Sequence, residues 1–183
     1  MVELGASATL TFLYADGTDH PTDFNANSLV ARLDLGRVRV LLPGDAQGGS
    51  RADPATAPKA RSIEAALLAC CATELKADVL VVGHHGSKTS TRQAFLQAIA
   101  PKVSVISSGP HKYSSVQLPD AEIVEELKAT SEVYRTDEHD ADYATSAAKI
   151  GTDSDGKPGG CDNLQIQIVD GVLGKPLYWN PGD

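Results

Sequence analysis

Short apolar or alternating segments recur along the chain and predict strands. Residues 28–35 alternate apolar and polar positions, as a half-buried strand does, and Val38–Leu42 follows a two-residue turn, so the pair predicts a β-hairpin. The uninterrupted apolar run at 77–82 is typical of a strand covered on both faces. Further strands are predicted at 9–14, 103–107, 133–135 and 164–169.

Three segments with helical spacing lie between these strands. Residues 62–75 place apolar side chains on one face, and Ser62 is suited to cap the start of that helix. Helices are also predicted at 91–100, which Pro101 ends, and at 119–130. The resulting order predicts an α/β fold with a mixed β-sheet covered by about three helices. Residues 1–183 are expected to form a single domain, with an irregular acidic loop at 136–163.

Composition narrows the class of protein. The chain is 42% hydrophobic and 22% charged, close to the averages for a globular protein. A net charge of −8 disfavours coating by nucleic acid, although a local basic rim would still permit binding. Three cysteines without a CxxC motif, no membrane-length apolar run and no signal-peptide pattern predict a reduced, cytoplasmic protein.

The first candidate site is Asp45, which follows Pro43 and Gly44 at the end of the strand Val38–Leu42. Ligand sites in α/β sheets gather where strands reach their carboxyl ends. A glycine there lets the backbone turn sharply and bring the carboxylate to that edge. The alternative is an ordinary turn aspartate, because this short motif alone is weak.

The second candidate site is the segment Gly-His-His-Gly-Ser-Lys-Thr-Ser at 83–90, directly after the strand at 77–82. Neutral histidine nitrogens bind divalent metals, so His84 and His85 are candidate ligands. Hydroxyls and backbone N–H groups could hold an anionic oxygen, and Lys88 could neutralise a phosphate. The alternative is a polar loop with a helix cap. One strand–helix–strand crossover links the two segments and predicts that Asp45 lies near these histidines.

The amino-acid sequence from residue 10 to about 137 resembles that of a known family. Residues 25–46 follow the pattern NxNSLVxRLxxGxxRxLLxGDA, and LKADVLxVGHHGSKTST, PKVxVISxG and xVYRTD follow in order. This sequence resembles the C-terminal half of the metallo-β-lactamase domain of ComEC/Rec2-type competence proteins. The resemblance implies half of an αββα sandwich and metal-dependent hydrolysis, commonly of phosphodiester bonds, with zinc or manganese.

The resemblance also implies roles for residues. It makes Asp45, His84 and His85 metal ligands, without deciding which histidine binds metal and which faces substrate. His84, His85 and Lys88 would carry catalysis. Substrate contacts are expected from the following side chains: Ser87, Thr89, Ser90 and His111.

Two departures limit what the resemblance implies. The HxHxDH signature that supplies most metal ligands in the family is absent from this sequence. The family's Tyr-Gly-His-Pro motif is also absent, and His111 is the nearby histidine that could replace its histidine. We therefore expect weak or no metal binding by the isolated monomer, and completion by a homodimer or a complementary N-terminal half. A non-catalytic dimeric binding or scaffold module and a metal-free phosphate-binding module stay as alternatives.

Overall fold

A computed structural model describes residues 1–5, 7–18, 20–109, 112–113, 115–137 and 163–179. Three α-helices lie in these ranges: α1 Ile63–Cys71, α2 Gln93–Ile99 and α3 Ala121–Lys128. The strands are β1 Val2–Gly5, β2 Ala8–Tyr14, β3 Val30–Leu35, β4 Val38–Leu42, β5 Val79–Val81, β6 Val103–Ile106, β7 Lys112–Tyr113, β8 Val116–Gln117, β9 Glu132–Arg135, β10 Asn163–Gln165, β11 Ile168–Val169, β12 Val172–Leu173 and β13 Leu177–Trp179.

Seven strands form one mixed sheet in the order β1-β2-β3-β4-β5-β6-β9. The first four strands are antiparallel to their neighbours, and β4, β5, β6 and β9 run parallel. A tight turn joins β3 to β4, whereas each parallel pair is joined through a segment that contains a helix, as parallel pairing requires. The predicted α/β class, with a mixed sheet and three helices, is confirmed.

One face of the sheet carries the main core. Leu41 and Leu80 are cross-strand neighbours, and both are buried with Ile106 from β6. The same cluster contains apolar side chains from all three helices, including Leu67 and Phe95. The helices therefore pack on this face, and burial of their apolar sides drives their docking.

The opposite face is covered unevenly. Val79 and Val103, neighbours in register, are only 1% and 6% exposed and lie outside the main core cluster. Val103 and the segment Leu173–Pro176 line the same open cavity. Phe12, on β2, is 46% exposed. This face of the sheet is therefore exposed at Phe12 on β2 and buried at the start of β5 and β6.

The structure corrects several predicted elements. The segment 164–169 is not one strand but is divided between β10 and β11, which belong to separate two-stranded sheets. Asp170 and Gly171 both have positive φ and join β11 to β12 as a tight hairpin, a turn signal that period-2 reasoning overlooked. The helix predicted at 62–75 is α1 followed by a 3-10 turn at Ala72–Leu75.

The two neighbouring cysteines are joined. Cys70 and Cys71 form a disulfide at the end of α1, where the sequence predicted free thiols. The prediction considered only the odd count and the absence of a CxxC motif, and it overlooked pairing between adjacent residues. Most of the predicted acidic loop, at 138–162, lies outside the described residues. None of the helices in the described ranges has the length and apolar composition needed to cross a membrane.

Candidate functional site

The two candidate segments meet at the carboxyl ends of β4 and β5. Val40 pairs with Val79 and Leu41 with Leu80, so the predicted parallel crossover is present. The loop after β5 then bonds to the loop after β4, because the backbone N–H of His84 donates to the carbonyl oxygen of Gly44 at 3.0 Å. The adjacency that the sequence predicted is thus produced by the sheet itself.

Asp45 and His85 face each other across these loops. The Nε2 atom of His85 lies 3.7 Å from Oδ1 of Asp45, and the two side chains are 44% and 43% exposed. Nδ1 of His85 lies 2.8 Å from the carbonyl oxygen of Ser107, which can only accept, so Nδ1 carries the proton. In the neutral ring, Nε2, the nitrogen nearer to Asp45, therefore keeps its lone pair.

His84 has a different environment. Its Nδ1 lies 2.7 Å from Oγ1 of Thr89 and 3.2 Å from Nε2 of Gln47, so that nitrogen is engaged inside the protein. Burial lowers the pKa of His84 below its ordinary value, while the negative charge of Asp45 partly offsets the effect. The two imidazole rings stand edge to face with centroids 6.4 Å apart. The structure therefore separates two histidines that the sequence could not order.

The backbone at these histidines is strained. His84 and His85 have φ of 48° and 54°, in the left-handed region that side chains rarely adopt. Gly86 continues the turn with φ of 77°, and a Cβ there would lie 2.6 Å from Cβ of Pro119. Such conformations persist where the surroundings over-determine them, and they concentrate at functional sites.

Two of the predicted substrate-binding hydroxyls are used to build the loop. Ser90 is fully buried, and its hydroxyl donates to the carbonyl oxygen of Gly83 at 2.7 Å. Ser87 is also buried, and its Oγ accepts hydrogen bonds from the backbone N–H and the hydroxyl of Thr89. Of the three hydroxyls, only that of Thr89 contacts a candidate histidine, because its Oγ1 is bonded to His84.

Lys88 is held by α3 rather than by the histidines. Its Nζ lies 2.6 Å from Oε1 of Glu122, and its backbone N–H donates to Oδ2 of Asp120 at 2.8 Å. The other carboxylate oxygen of Asp120 accepts from Arg51. The side chain of Asp120 makes no capping bond to α3, because it is bound instead to these two loops.

A buried polar network supports both loops, consisting of Glu64, Thr91 and Arg92. The Glu64 carboxylate accepts hydrogen bonds from the backbone N–H groups of Thr91 and Arg92. The backbone N–H of Glu64 donates to the carbonyl oxygen of Gln47. The Arg92 guanidinium donates to the carbonyl oxygens of Ser50, Ala52 and Asp53, which all belong to the loop between β4 and α1. Burial raises the pKa of the Glu64 carboxyl to about 7 despite the opposing pull of the bonds it accepts.

The sequence did not identify several residues that shape the site. These are Gln47, Arg51, Glu64, Arg92, Ser107 and Asp120. Only Gln47 could have been proposed from the sequence, because it lies two positions after Asp45. The predicted site residue His111 lies outside the described residues. Within the ranges that the structure describes, no three acidic, histidine or cysteine side chains converge as a metal-binding group.

Comparison with known proteins finds relatives that are similar to part of this chain. No family model matches the chain. It is 38% identical to Recombination protein 2 of Haemophilus influenzae over 103 residues, and 39% identical to ComE operon protein 3 of Bacillus subtilis over 79 residues. It is 34% identical to Competence protein ComA of Neisseria gonorrhoeae over 87 residues. These matches cover 56%, 43% and 48% of the chain. The matched regions span 10–11% of the length of those relatives, so the similarity to competence proteins concerns a limited part of each.

Proposed function

We propose that this chain supplies part of a metal-dependent phosphodiesterase site of competence-protein type, in which Asp45 and Nε2 of His85 bind a Zn²⁺ or Mn²⁺ ion. One observation carries the proposal: Nε2 of His85, the ring nitrogen that does not contact Ser107, lies 3.7 Å from Oδ1 of Asp45. Two ligand atoms at about 2.0–2.2 Å from one zinc ion lie roughly 3–4 Å apart, so this separation fits a shared cation.

The surroundings of His85 support the same assignment. Metal-binding histidines generally donate their second ring N–H to a carbonyl or carboxylate, which fixes the tautomer and the orientation of the ring. The bond from Nδ1 of His85 to Ser107 has that form. His84 would face the substrate instead, since its Nδ1 is already engaged by Thr89 and Gln47.

The roles of the chain's own side chains follow from these contacts. A bound divalent cation lowers the pKa of a coordinated water and polarises a phosphoryl oxygen. His84 lies beside His85, with ring centroids 6.4 Å apart, and would exchange a proton with substrate. Ser87, Ser90 and Lys88 would act indirectly, by holding the histidine loop in place.

The metal site needs further ligands. Catalytic zinc usually takes three protein ligands, and the described residues provide two that face each other. We infer that the sheet is half of an αββα sandwich, and that a second copy or a complementary N-terminal half supplies the rest. The partly exposed apolar side of the sheet near Phe12 supports such a partner.

Metal content of the purified chain, read beside its mass in solution, tests the proposal. We expect bound zinc or manganese in the dimer or in the complex with its partner half, and hydrolysis of bis-p-nitrophenyl phosphate that a chelator abolishes. Asp45→Asn and His85→Asn should each remove metal and activity. Glu3→Gln, on the exposed strand β1, is the matched control and should remove neither. Full metal binding by His85→Asn would overturn the assignment.

A second candidate function is a non-catalytic binding or scaffold module. It is favoured by the observation that only two candidate ligands face each other within the described part of the chain. This alternative predicts a stable dimer or partner complex that contains no metal and whose assembly is unaffected by Asp45→Asn. Light scattering with metal analysis on the same sample distinguishes the two.

A further inference from the structure

The two adjacent cysteines at the end of α1 interrupt a helix that the sequence predicts to be longer. Residues 62–75 have helical spacing, and the segment Ala72–Leu75 consists mainly of residues with high helix propensity. In the structure α1 ends at Cys71, which has φ of −143° and ψ of 27°, and a 3-10 turn follows. The break therefore falls at the disulfide that joins Cys71 to Cys70.

A disulfide between neighbours in sequence and an α-helix make incompatible demands on the backbone. Consecutive side chains of an α-helix project about 100° apart and do not face each other, whereas a disulfide needs its two Cβ atoms about 3.5–4.5 Å apart. The Cα atoms of Cys70 and Cys71 are 3.8 Å apart, as one trans peptide bond requires, so only the backbone angles can turn the sulfur atoms towards each other. The oxidised pair therefore determines where α1 ends.

The turn after the disulfide is attached to the sheet and to the core. Nη1 of Arg32, on β3, donates to the carbonyl oxygen of Glu74 at 2.7 Å and to Oε2 of the same residue at 2.8 Å. Leu75 is fully buried in the main core cluster, and residues 76–78 then lead into the start of β5. A change in where α1 ends would therefore alter contacts that reach β3.

We propose that Cys70 and Cys71 form a reversible redox site that exchanges with external dithiols, and that reduction lets α1 continue through Leu75. In the reduced chain, the helical path moves the carbonyl oxygen of Glu74 away from Arg32. The site involves neither of the two candidate metal ligands, so it is independent of the proposed hydrolase function.

The exchange proceeds in two steps. Cys70 is exposed and Cys71 is half-buried, so an attacking thiolate of the reductant reaches the sulfur of Cys70. That attack forms a mixed disulfide with Cys70 and breaks the bond to Cys71, which leaves as a thiolate and takes up a proton. The second thiol of the reductant then attacks its own bridging sulfur and displaces Cys70. The reductant ends as a cyclic disulfide, and the two cysteines gain two electrons and two protons.

Thiol counting across a series of dithiothreitol redox buffers tests the site. The chain used is Cys161→Ser, which keeps the pair and removes the third cysteine of the sequence. After trapping with N-ethylmaleimide under denaturing conditions, mass spectrometry should find no free thiol in oxidised dithiothreitol and two in the reduced form, with a reversible transition between them. Two free thiols throughout the series, or a bond that is reduced only after urea unfolds the chain, would overturn the proposal.

Hydrogen exchange in the same buffers tests whether the end of α1 responds. Residues 72–75 should exchange their amide hydrogens about tenfold more slowly in the reduced chain, because α-helical hydrogen bonds have better geometry than those of a 3-10 turn. Residues 121–128 of α3 are the internal control and should exchange equally in both buffers. Cys70→Ser/Cys71→Ser cannot oxidise and should match the reduced chain throughout. Equal or faster exchange at 72–75 after reduction contradicts the proposal, and this comparison on one chain does not depend on how the double variant folds.

Discussion

The buried polar network around Glu64 and the exposed pair of Asp45 and His85 bridge the same two loops in opposite ways. In the network, both carboxylate oxygens of Glu64 and the two terminal nitrogens of the Arg92 guanidinium are bonded within the protein, and the two residues are only 1% and 2% exposed. In the exposed pair, one ring nitrogen and a carboxylate face each other at 3.7 Å. The comparison teaches that rigidity and binding capacity are divided between neighbouring side chains, since groups already bonded inside cannot bind a ligand.

Removing Arg92 should have the largest effect on the network. Arg92→Ala leaves the carbonyl oxygens of Ser50, Ala52 and Asp53 without their side-chain donor and removes the positive charge beside the buried Glu64 carboxyl, so we expect a loss of about 3–5 kcal/mol in the free energy of unfolding. Urea denaturation measures this loss. Arg39→Ala, which removes a partly exposed arginine paired with Asp34, is the control and should cost less than about 1 kcal/mol. Similar losses in both variants would contradict the distinction.

The pH dependence of stability should carry the signature of Glu64. Its raised pKa means that the folded chain binds more protons than the unfolded chain between about pH 4.5 and about pH 7. The free energy of unfolding should therefore fall by about 3 kcal/mol as the pH rises through that range. Glu64→Gln cannot titrate, so the difference between it and the wild type isolates this contribution from that of His84. Parallel pH profiles for the two proteins would refute the assignment.

The buried hydroxyl of Ser90 offers a smaller test of the loop. Ser90→Ala removes the donor to the carbonyl oxygen of Gly83 and should cost about 1–2 kcal/mol in the free energy of unfolding. Ser50→Ala, at an exposed position of the neighbouring loop, is the matched control and should change little. If Ser90→Ala is as stable as the control, the hydroxyl is free for substrate after all.

Changes at the exposed pair should have the smallest effect on stability. Asp45→Asn and His85→Asn should shift the free energy of unfolding by no more than about 0.5 kcal/mol, because both positions are partly exposed and asparagine tolerates a left-handed backbone. The same variants should lose metal. A loss of stability larger than that of Ser90→Ala would indicate that the pair is a structural contact.

The accuracy of the sequence-based predictions varies along the chain for physical reasons. The hairpin β3–β4 and the buried strand β5 follow from local periodicity, and their parallel crossover predicted that Asp45 would lie near the histidine loop. Glu64 could not be assigned in this way. A carboxylate in the first turn of α1 has the pattern of a solvated residue until Thr91 and Arg92, which are 27 and 28 positions away, close over it.

The local sequence pattern also could not predict which of the two histidines binds metal and which faces substrate. His84 and His85 are adjacent and chemically identical, and the difference arises from Thr89 and Gln47 on one side and the Ser107 carbonyl on the other. The short strands β1 and β10 to β13 were missed or merged because two to four residues carry too little periodicity.

The division of the sheet into antiparallel and parallel parts has a consequence for how the chain folds. The pairs β2–β3 and β3–β4 join segments close in sequence, whereas β4 and β5 pair residues 39 positions apart, as Val40 and Val79 show. Closing a longer loop loses more chain entropy, and this loss precedes the favourable contacts of the paired strands. We therefore expect the antiparallel meander to form early and the β4–β5 seam late. Since Asp45 and His85 are brought together only across that seam, an immature chain would carry neither half of the pair in a binding position until folding is nearly complete.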